Sequence, residues 1–99
     1  FVTETVERTS AVHSRFFAPH QGIDEDPVTG SANGPLGVYL FEQRIAEPVD
    51  GVLEVIGEQG DAIGRPGRVK IRIGVEGDHV TSVEIAGRAV TILRGTLHV

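Results

Sequence analysis

The sequence contains no cysteine, which excludes disulfide bonds, thiolate zinc sites and cysteine nucleophiles. No apolar run approaches the roughly 20 residues of a membrane-spanning helix, and the first residues do not form a secretory signal pattern. There is also no basic run of the kind that binds nucleic acid or a membrane surface. From these absences we expect a cytoplasmic protein with no nucleic-acid partner and no membrane partner.

The chain has 99 residues, of which 39% are hydrophobic, and a net charge of −5. This size and composition fit a single small domain or part of a larger one. The chain begins with Phe1 rather than methionine, and residues 1–5 already resemble a strand in progress. We therefore expect a segment upstream of Phe1.

Alternating apolar and polar residues indicate strands near the start of the chain and again after residue 50. Between them, residues 19–30 show no periodicity and contain two prolines and two glycines, which predicts a loop of 12 residues. The predicted strands are 1–6, 11–17, 53–56, 69–75, 83–85 and 90–92, with a hairpin turn at Gly77-Asp78.

A helix is predicted over residues 31–46, with Ser31 as its N-cap and Pro48 ending it. Its apolar residues lie on several sides, which is typical of a buried helix. Gly34 and Gly37 would let neighbouring backbone approach closely. One apolar helix among many strands predicts an α+β fold, in which a mostly antiparallel or mixed sheet curls barrel-like around the helix.

The loop before this helix carries three acidic residues, Asp24, Glu25 and Asp26, and two hydroxyls, on Thr29 and Ser31. Free N–H groups and the helix dipole favour an anion at such a position, for example a substrate carboxylate. An acid beside that anion can act as a general acid or base. Acids also precede helices simply because they stabilise the N-terminus, so these features alone leave both interpretations open.

A specific motif covers this loop. The run Glu-Asp-Pro-Val-Thr-Gly-Ser-Ala at residues 25–32 closely resembles the second-domain signature of the phenazine-biosynthesis (PhzF-like) isomerase family. The resemblance covers nearly the whole chain, and its other parts lie at residues 15–19, 22–24, 36, 39–40, 58–60, 64–67 and 83–90.

The resemblance implies a diaminopimelate epimerase-like fold, in which two similar domains each wrap a sheet around a central helix and the active site lies between them. Residues 1–99 would form one domain, equivalent to most of the C-terminal domain, with the N-terminal domain absent. The implied activity is cofactor-independent isomerisation or epimerisation, which shifts a proton on a small carboxylated substrate. Asp26 would be the catalytic residue, Gly30, Ser31 and Ala32 would bind the substrate, and no metal would be needed.

The sequence also departs from this family. The family's acid/base glutamate and its Gly-His-Pro motif belong to the N-terminal domain, and no histidine here is followed by proline. We therefore expect the other half of the site to come from that missing domain or from a second chain, and we expect a homo-oligomer. The alternative is a truncated or degenerate non-catalytic domain that binds a small carboxylate or a partner chain. The related epimerases and racemases with paired cysteines are excluded by the absence of cysteine.

Three further patterns have competing interpretations. His20 and Asp26 could relay protons, although an exposed loop histidine is the simpler interpretation. Arg15 could bind a substrate carboxylate or form an ion pair with the loop acids, and the ion pair is favoured. Residues 64–67, Gly-Arg-Pro-Gly, lack the Lys-Ser/Thr of a phosphate-binding loop and are predicted as a turn.

Overall fold

The computed structural model describes residues 1–88 and 95–97. They form one α-helix, a four-stranded sheet and a separate two-stranded sheet. The elements are β1 (Val12–Ser14), β2 (Phe16–Ala18), β3 (Ile23–Asp26), α1 (Gly30–Glu42), β4 (Val52–Gln59), β5 (Gly67–Glu76) and β6 (His79–Ala86). Among these residues, no helix has the length and apolar character needed to cross a membrane.

The larger sheet has the strand order β1-β4-β5-β6. β4 and β5 are antiparallel and pair from Val52↔Gly74 to Gln59↔Gly67. β5 and β6 form a hairpin across the turn at Gly77-Asp78, which confirms the predicted turn. β1 lies parallel to β4 on the other side, so the sheet is mixed.

The inner face of the sheet holds the core. Leu53, Val69, Ile71 and Ile73 are all nearly inaccessible to solvent, as expected for alternate positions of half-buried strands. Helix α1 lies across them, and Gly37 is its point of closest approach, because a Cβ there would come within 3.0 Å of Ile73 Cδ1. The close approach predicted for neighbouring backbone was wrong in its partner, because side chains of β5 lie against Gly37.

The outer face carries a cluster of charged side chains, which we call the Glu58 cluster: Glu7, His13, Glu58, Asp61 and Arg68. Glu58 is fully buried beneath the N-terminal segment. Its carboxylate accepts hydrogen bonds from the Val6 N–H, from the Glu7 N–H at 3.2 Å and from His13 Nδ1 at 2.9 Å. The segment before β1 is thereby fastened to β4.

Arg68 completes the Glu58 cluster from β5. It forms two hydrogen bonds with the Asp61 carboxylate, at 2.9 and 3.0 Å, and an ion pair with Glu7 at 2.7 Å. Its guanidinium also lies 3.6 Å from Glu58 Oε2. The hydrogen bonds from Arg68 lower the pKa of Asp61, and the same bonds raise the pKa of Arg68 above its usual value.

The pKa of Glu58 reflects two opposing effects. Burial raises the pKa of a carboxyl because it disfavours the charged form. The hydrogen bonds from the Val6 N–H, His13 and the Glu7 N–H outweigh burial, and they lower the pKa of Glu58 from its usual 4.5 to about 2. Glu58 is therefore ionised in the folded protein at neutral pH.

Several predicted boundaries were wrong at the start of the chain. Residues 1–6 form no strand, and only a single bridge joins Val2 to His13. The predicted strand 11–17 is divided at Arg15 into β1 and β2, which belong to different sheets. The predicted loop 19–30 contains a short 3-10 helix, Pro19–Gln21, and strand β3.

The helix boundaries also differ from the prediction. The N-cap is Thr29 rather than Ser31, and the helix ends at Glu42. Arg44 adopts a left-handed conformation with φ of 56°, and the Ile45 N–H bonds back to the Leu40 carbonyl at 3.0 Å. This reversal stops the helix before Pro48.

The α+β class is confirmed. The larger sheet is open among the described residues, so the barrel-like wrapping around the helix stays a prediction. The strand predicted at Val90 and Ile92 lies outside the described residues.

Candidate functional site

Asp26 lies at the end of β3, where the chain turns toward the helix. β3 pairs with β2 through Phe16↔Asp26 and Ala18↔Ile23. The Asp26 side chain is half-buried. Residues 27–29 then lead directly into the first turn of α1, which places the acid and the helix N-terminus at one end of the fold.

Thr29 connects Asp26 to the sheet. Its hydroxyl donates a hydrogen bond to Asp26 Oδ2 at 2.7 Å. The Gln59 side-chain amide, at the end of β4, donates to Thr29 Oγ1 at 2.8 Å and to the Asp26 carbonyl oxygen at 2.7 Å. Thr29 and Gln59 are both buried. The carboxylate of Asp26 is therefore oriented by Thr29, which is held in turn by a residue of the main sheet.

The start of α1 has no side-chain cap. Thr29 occupies the N-cap position, where a threonine hydroxyl usually accepts a bond from a helix N–H, but no such bond is present. Instead, Asn33 Nδ2 donates to the Thr29 carbonyl at 2.5 Å. Gly30 and Ser31 are exposed and Ala32 is half-buried. The first N–H groups of a helix without a cap are suited to bind an anion.

Close backbone contact fixes the position of the loop. A Cβ on Gly60 would lie 2.9 Å from both Cα and the carbonyl oxygen of Pro27. A Cβ on Gly67 would also lie 2.9 Å from that oxygen and would overlap the Val28 side chain. Gly60 has a positive φ of 84°, which glycine adopts without steric cost. The strand ends of β4 and β5 thus lie directly against residues 27–28.

The other acidic and basic residues of the loop have separate roles. Arg15 Nε donates to Glu25 Oε1 at 3.0 Å, which confirms the predicted ion pair. Asp24 and His20 are exposed, and no hydrogen bond joins His20 to Asp26 in the described part of the chain. Within that part, no group of His, Cys, Asp and Glu is arranged to hold a metal ion.

Gln59 and Asn33 help to organise this site, although neither was assigned a role from the sequence. Both are almost fully buried, with 3% of each residue exposed. Buried amides are uncommon in a protein core, and Gln59 has the same parity as the inward-facing Leu53 on β4. A glutamine at an inward-facing strand position was therefore the signal in the sequence that could have identified this residue.

A large cleft lies beside this site rather than at it. Its volume is about 720 Å³, and Val28 is its only contribution from the loop. Asp26, Gly30 and Ser31 do not line it. Its lining residues are Val28, Ile56, Pro66, Gly67, Arg68, Lys70, Ala86, Gly87 and Arg88.

Comparison with known proteins places this chain in a defined group. Residues 1–95 match the family described as phenazine biosynthesis-like protein, PhzC-PhzF. An uncharacterized isomerase of Clostridium acetobutylicum is 38% identical over 97 residues, which are 98% of this chain and 32% of that protein. The uncharacterized isomerase YddE of Escherichia coli is 41% identical over 78 residues, 79% of this chain and 26% of that protein.

A relative with a named substrate is also similar. The trans-2,3-dihydro-3-hydroxyanthranilate isomerase of Pseudomonas aeruginosa is 39% identical over 82 residues, which are 83% of this chain and 28% of that protein. The chain thus spans about a third of the length of the curated relatives it matches. All three relatives are named as isomerases.

Proposed function

Because the chain belongs to the phenazine biosynthesis-like (PhzC-PhzF) family, we propose that it forms part of an isomerase or epimerase that shifts a proton on a small carboxylated metabolite without a cofactor. The observation that carries this proposal is the hydrogen bond from Thr29 to Asp26 at 2.7 Å, directly before an uncapped helix. It combines an oriented carboxyl group with unused backbone donors at one end of the fold.

The proposed roles follow from this arrangement. The substrate carboxylate binds at the first turn of α1, where the N–H groups of Gly30, Ser31 and Ala32 and the helix dipole stabilise negative charge. Asp26 contacts the rest of the substrate. There it exchanges a proton as a general acid or base, or it positions the substrate's amine or hydroxyl group.

We propose that the residues that complete the site lie outside this chain. We propose that residues 1–99 correspond to most of the C-terminal domain of a two-domain enzyme, in line with the one-third share of the relatives' length. The missing acid/base glutamate and the Gly-His-Pro histidine would come from the N-terminal domain or from a second chain. We further propose that the complete protein is a homo-oligomer.

The test uses the full-length protein and the substrate named for the Pseudomonas relative. Trans-2,3-dihydro-3-hydroxyanthranilate is incubated with the protein in D₂O, and isomerisation and deuterium incorporation are followed by NMR. We expect Asp26→Asn to reduce turnover by about 10²-fold or more, the scale of general acid–base groups. Asp24→Asn is the matched control, because Asp24 is an exposed acid of the same loop, and it should leave turnover unchanged.

Near-normal turnover in the Asp26→Asn protein would remove the catalytic assignment. The second candidate function, a non-catalytic domain that binds a small carboxylate or a partner chain, requires only the uncapped helix start. Calorimetric titration with anthranilate distinguishes the two. Binding without any deuterium exchange, in the full-length protein, would support the second function.

A further inference from the structure

The hydrogen bonds around Thr29 have a defined direction. The carbonyl oxygen of Asp26 can only accept, so the Gln59 atom 2.7 Å from it must be the amide nitrogen. The same nitrogen lies 2.8 Å from Thr29 Oγ1. Its two protons therefore serve two acceptors, and the Thr29 oxygen accepts the second of them.

The direction of the next bond follows from the first. A hydroxyl has one proton, and the Gln59 side of Thr29 Oγ1 already carries a donor. Where Asp26 Oδ2 carries no proton of its own, it can only accept, and the Thr29 proton then points to it across 2.7 Å. Thr29 is 7% exposed and Gln59 is 3% exposed, so water has little access to reverse this order. Asp26 Oδ2 is consequently an acceptor in the carboxylate and in the acid that carries its proton on Oδ1.

Building on the proposed function, we propose that Gln59 is a positioning residue that acts through Thr29 and confines proton exchange to Asp26 Oδ1. A proton that leaves the substrate binds to Oδ1 while its bonding electron pair stays on the substrate. Oδ1 gives a proton back to the substrate later in the same turnover, so no further reactant is consumed. Because the Thr29 hydroxyl is held by Asp26, it also leaves the helix N–H groups free for the substrate carboxylate.

The first test locates the protons without using any substrate. Neutron diffraction from deuterated crystals of the full-length protein should show the Thr29 deuterium between Oγ1 and Asp26 Oδ2. The two Gln59 amide deuteriums should point to Thr29 Oγ1 and to the Asp26 carbonyl. A deuterium bound to Oδ2, or a Thr29 hydroxyl that points to a helix amide, would overturn the proposal.

The second test uses the isomerisation assay. Gln59→Leu and Thr29→Val should each lower kcat by about 10-fold, the value of one hydrogen bond to a charged group, and should leave KM within about 2-fold because the carboxylate-binding turn is intact. The double variant should be no worse than either single variant, since both remove the same interaction. Thr29→Ser keeps the hydroxyl and should retain the original kcat. Gln43→Leu, at an exposed position after the helix, is the matched control.

An Asp26→Asn background separates this inference from the proposed function. There, Gln59→Leu should have no further effect on kcat, because the carboxylate it orients is gone. A further loss of the same size would mean that Gln59 is only structural, and would overturn the inference alone. Normal turnover in Asp26→Asn by itself would instead remove the proposed function. Should Gln59→Leu fail to fold, the pair Thr29→Val and Thr29→Ser decides the same question.

Discussion

Glu58 and Gln59 are neighbours at the end of β4, yet they organise two regions that differ in charge. Charged side chains surround Glu58, whereas neutral groups surround Gln59. Glu58 points to the outer face, where it meets His13, Arg68 and two backbone N–H groups. Gln59 points to the inner face, where it donates to Thr29 and to the Asp26 backbone. The end of β4 thus supports the Glu58 cluster on one side of the sheet and the candidate site on the other.

The difference lies in how each carboxylate is balanced. The Glu58 carboxylate is held by cationic and backbone donors, and its pKa is lowered to about 2. For Asp26, neutral groups provide the support, and no ion pair to it is found among residues 1–88 and 95–97. A carboxylate with a fixed counter-charge stabilises the fold, whereas one oriented by neutral donors can still pair with a cationic group of a ligand.

The largest expected effect comes from removing the Glu58 carboxylate. Glu58→Leu should lower the free energy of unfolding of the full-length protein by about 3–5 kcal/mol, because it leaves buried donors without their acceptor. Urea unfolding monitored by circular dichroism measures the loss. At a temperature where the variant stays folded, turnover should be retained, in contrast to Gln59→Leu.

Glu54→Leu is the matched control for Glu58→Leu. Glu54 lies on the same face of β4, but its side chain is exposed. It forms a surface ion pair with Lys70, with 3.7 Å between Oε1 and Nζ. Surface pairs of this kind contribute about 0–1 kcal/mol. Equal losses in the Glu54 and Glu58 variants would contradict the anchoring role of Glu58.

A smaller effect is expected from the glycines that lie near the loop. Gly60 and Gly64 both have positive φ, 84° and 70°, but only Gly60 lies against other backbone. Gly64→Ala should cost about 1 kcal/mol from its conformation alone. Gly60→Ala should cost about 1–3 kcal/mol more through overpacking, and should also lower turnover because Pro27 is displaced. Indistinguishable Tm and kcat values for the two variants would disprove the contact's importance for the site.

The smallest expected effect is a pH dependence of stability that is caused by Glu58. The folded pKa of Glu58 is about 2, below its usual 4.5, so its contribution is complete above pH 4.5 and is lost as the pH falls toward 2. Between pH 6 and pH 3.5, the decline in unfolding free energy should be steeper in the original protein than in Glu58→Gln. The folded state itself should persist at pH 3.5, since Glu58 is still ionised there. Parallel pH profiles for the two proteins would contradict this assignment.

Local patterns predicted the fold where neighbours in sequence are also neighbours in space. The alternation at residues 69–75 and the glycine-containing turn at residue 77 define the β5–β6 hairpin, which was confirmed with its turn. The division at Arg15 was missed, because Val12 pairs with Gly57 and Phe16 pairs with Asp26. Pairing with two different elements cannot be read from residues 11–17 alone.

The candidate site shows the same limit. Asp26 was predicted from the resemblance carried by residues 25–32, which adjoin in the chain, and its role stays a prediction. Gln59 was given no role because its contact with Thr29 joins positions 30 residues apart. The N-cap was placed at Ser31 because a serine hydroxyl is a common cap. Thr29 holds that position without capping, since its hydroxyl is engaged by Asp26 and Gln59.

The main-chain contacts of Gly60 and Gly67 with Pro27 also affect how this site can diverge. The position of the loop is specified by glycines at which a side chain would overlap neighbouring atoms, whereas the side chains of His20 and Asp24 in the same loop are exposed. We expect substitutions at these exposed positions to leave the Asp26 carboxylate in its place. A directed-evolution library aimed at new substrates should therefore vary the exposed loop positions and hold these two glycines constant.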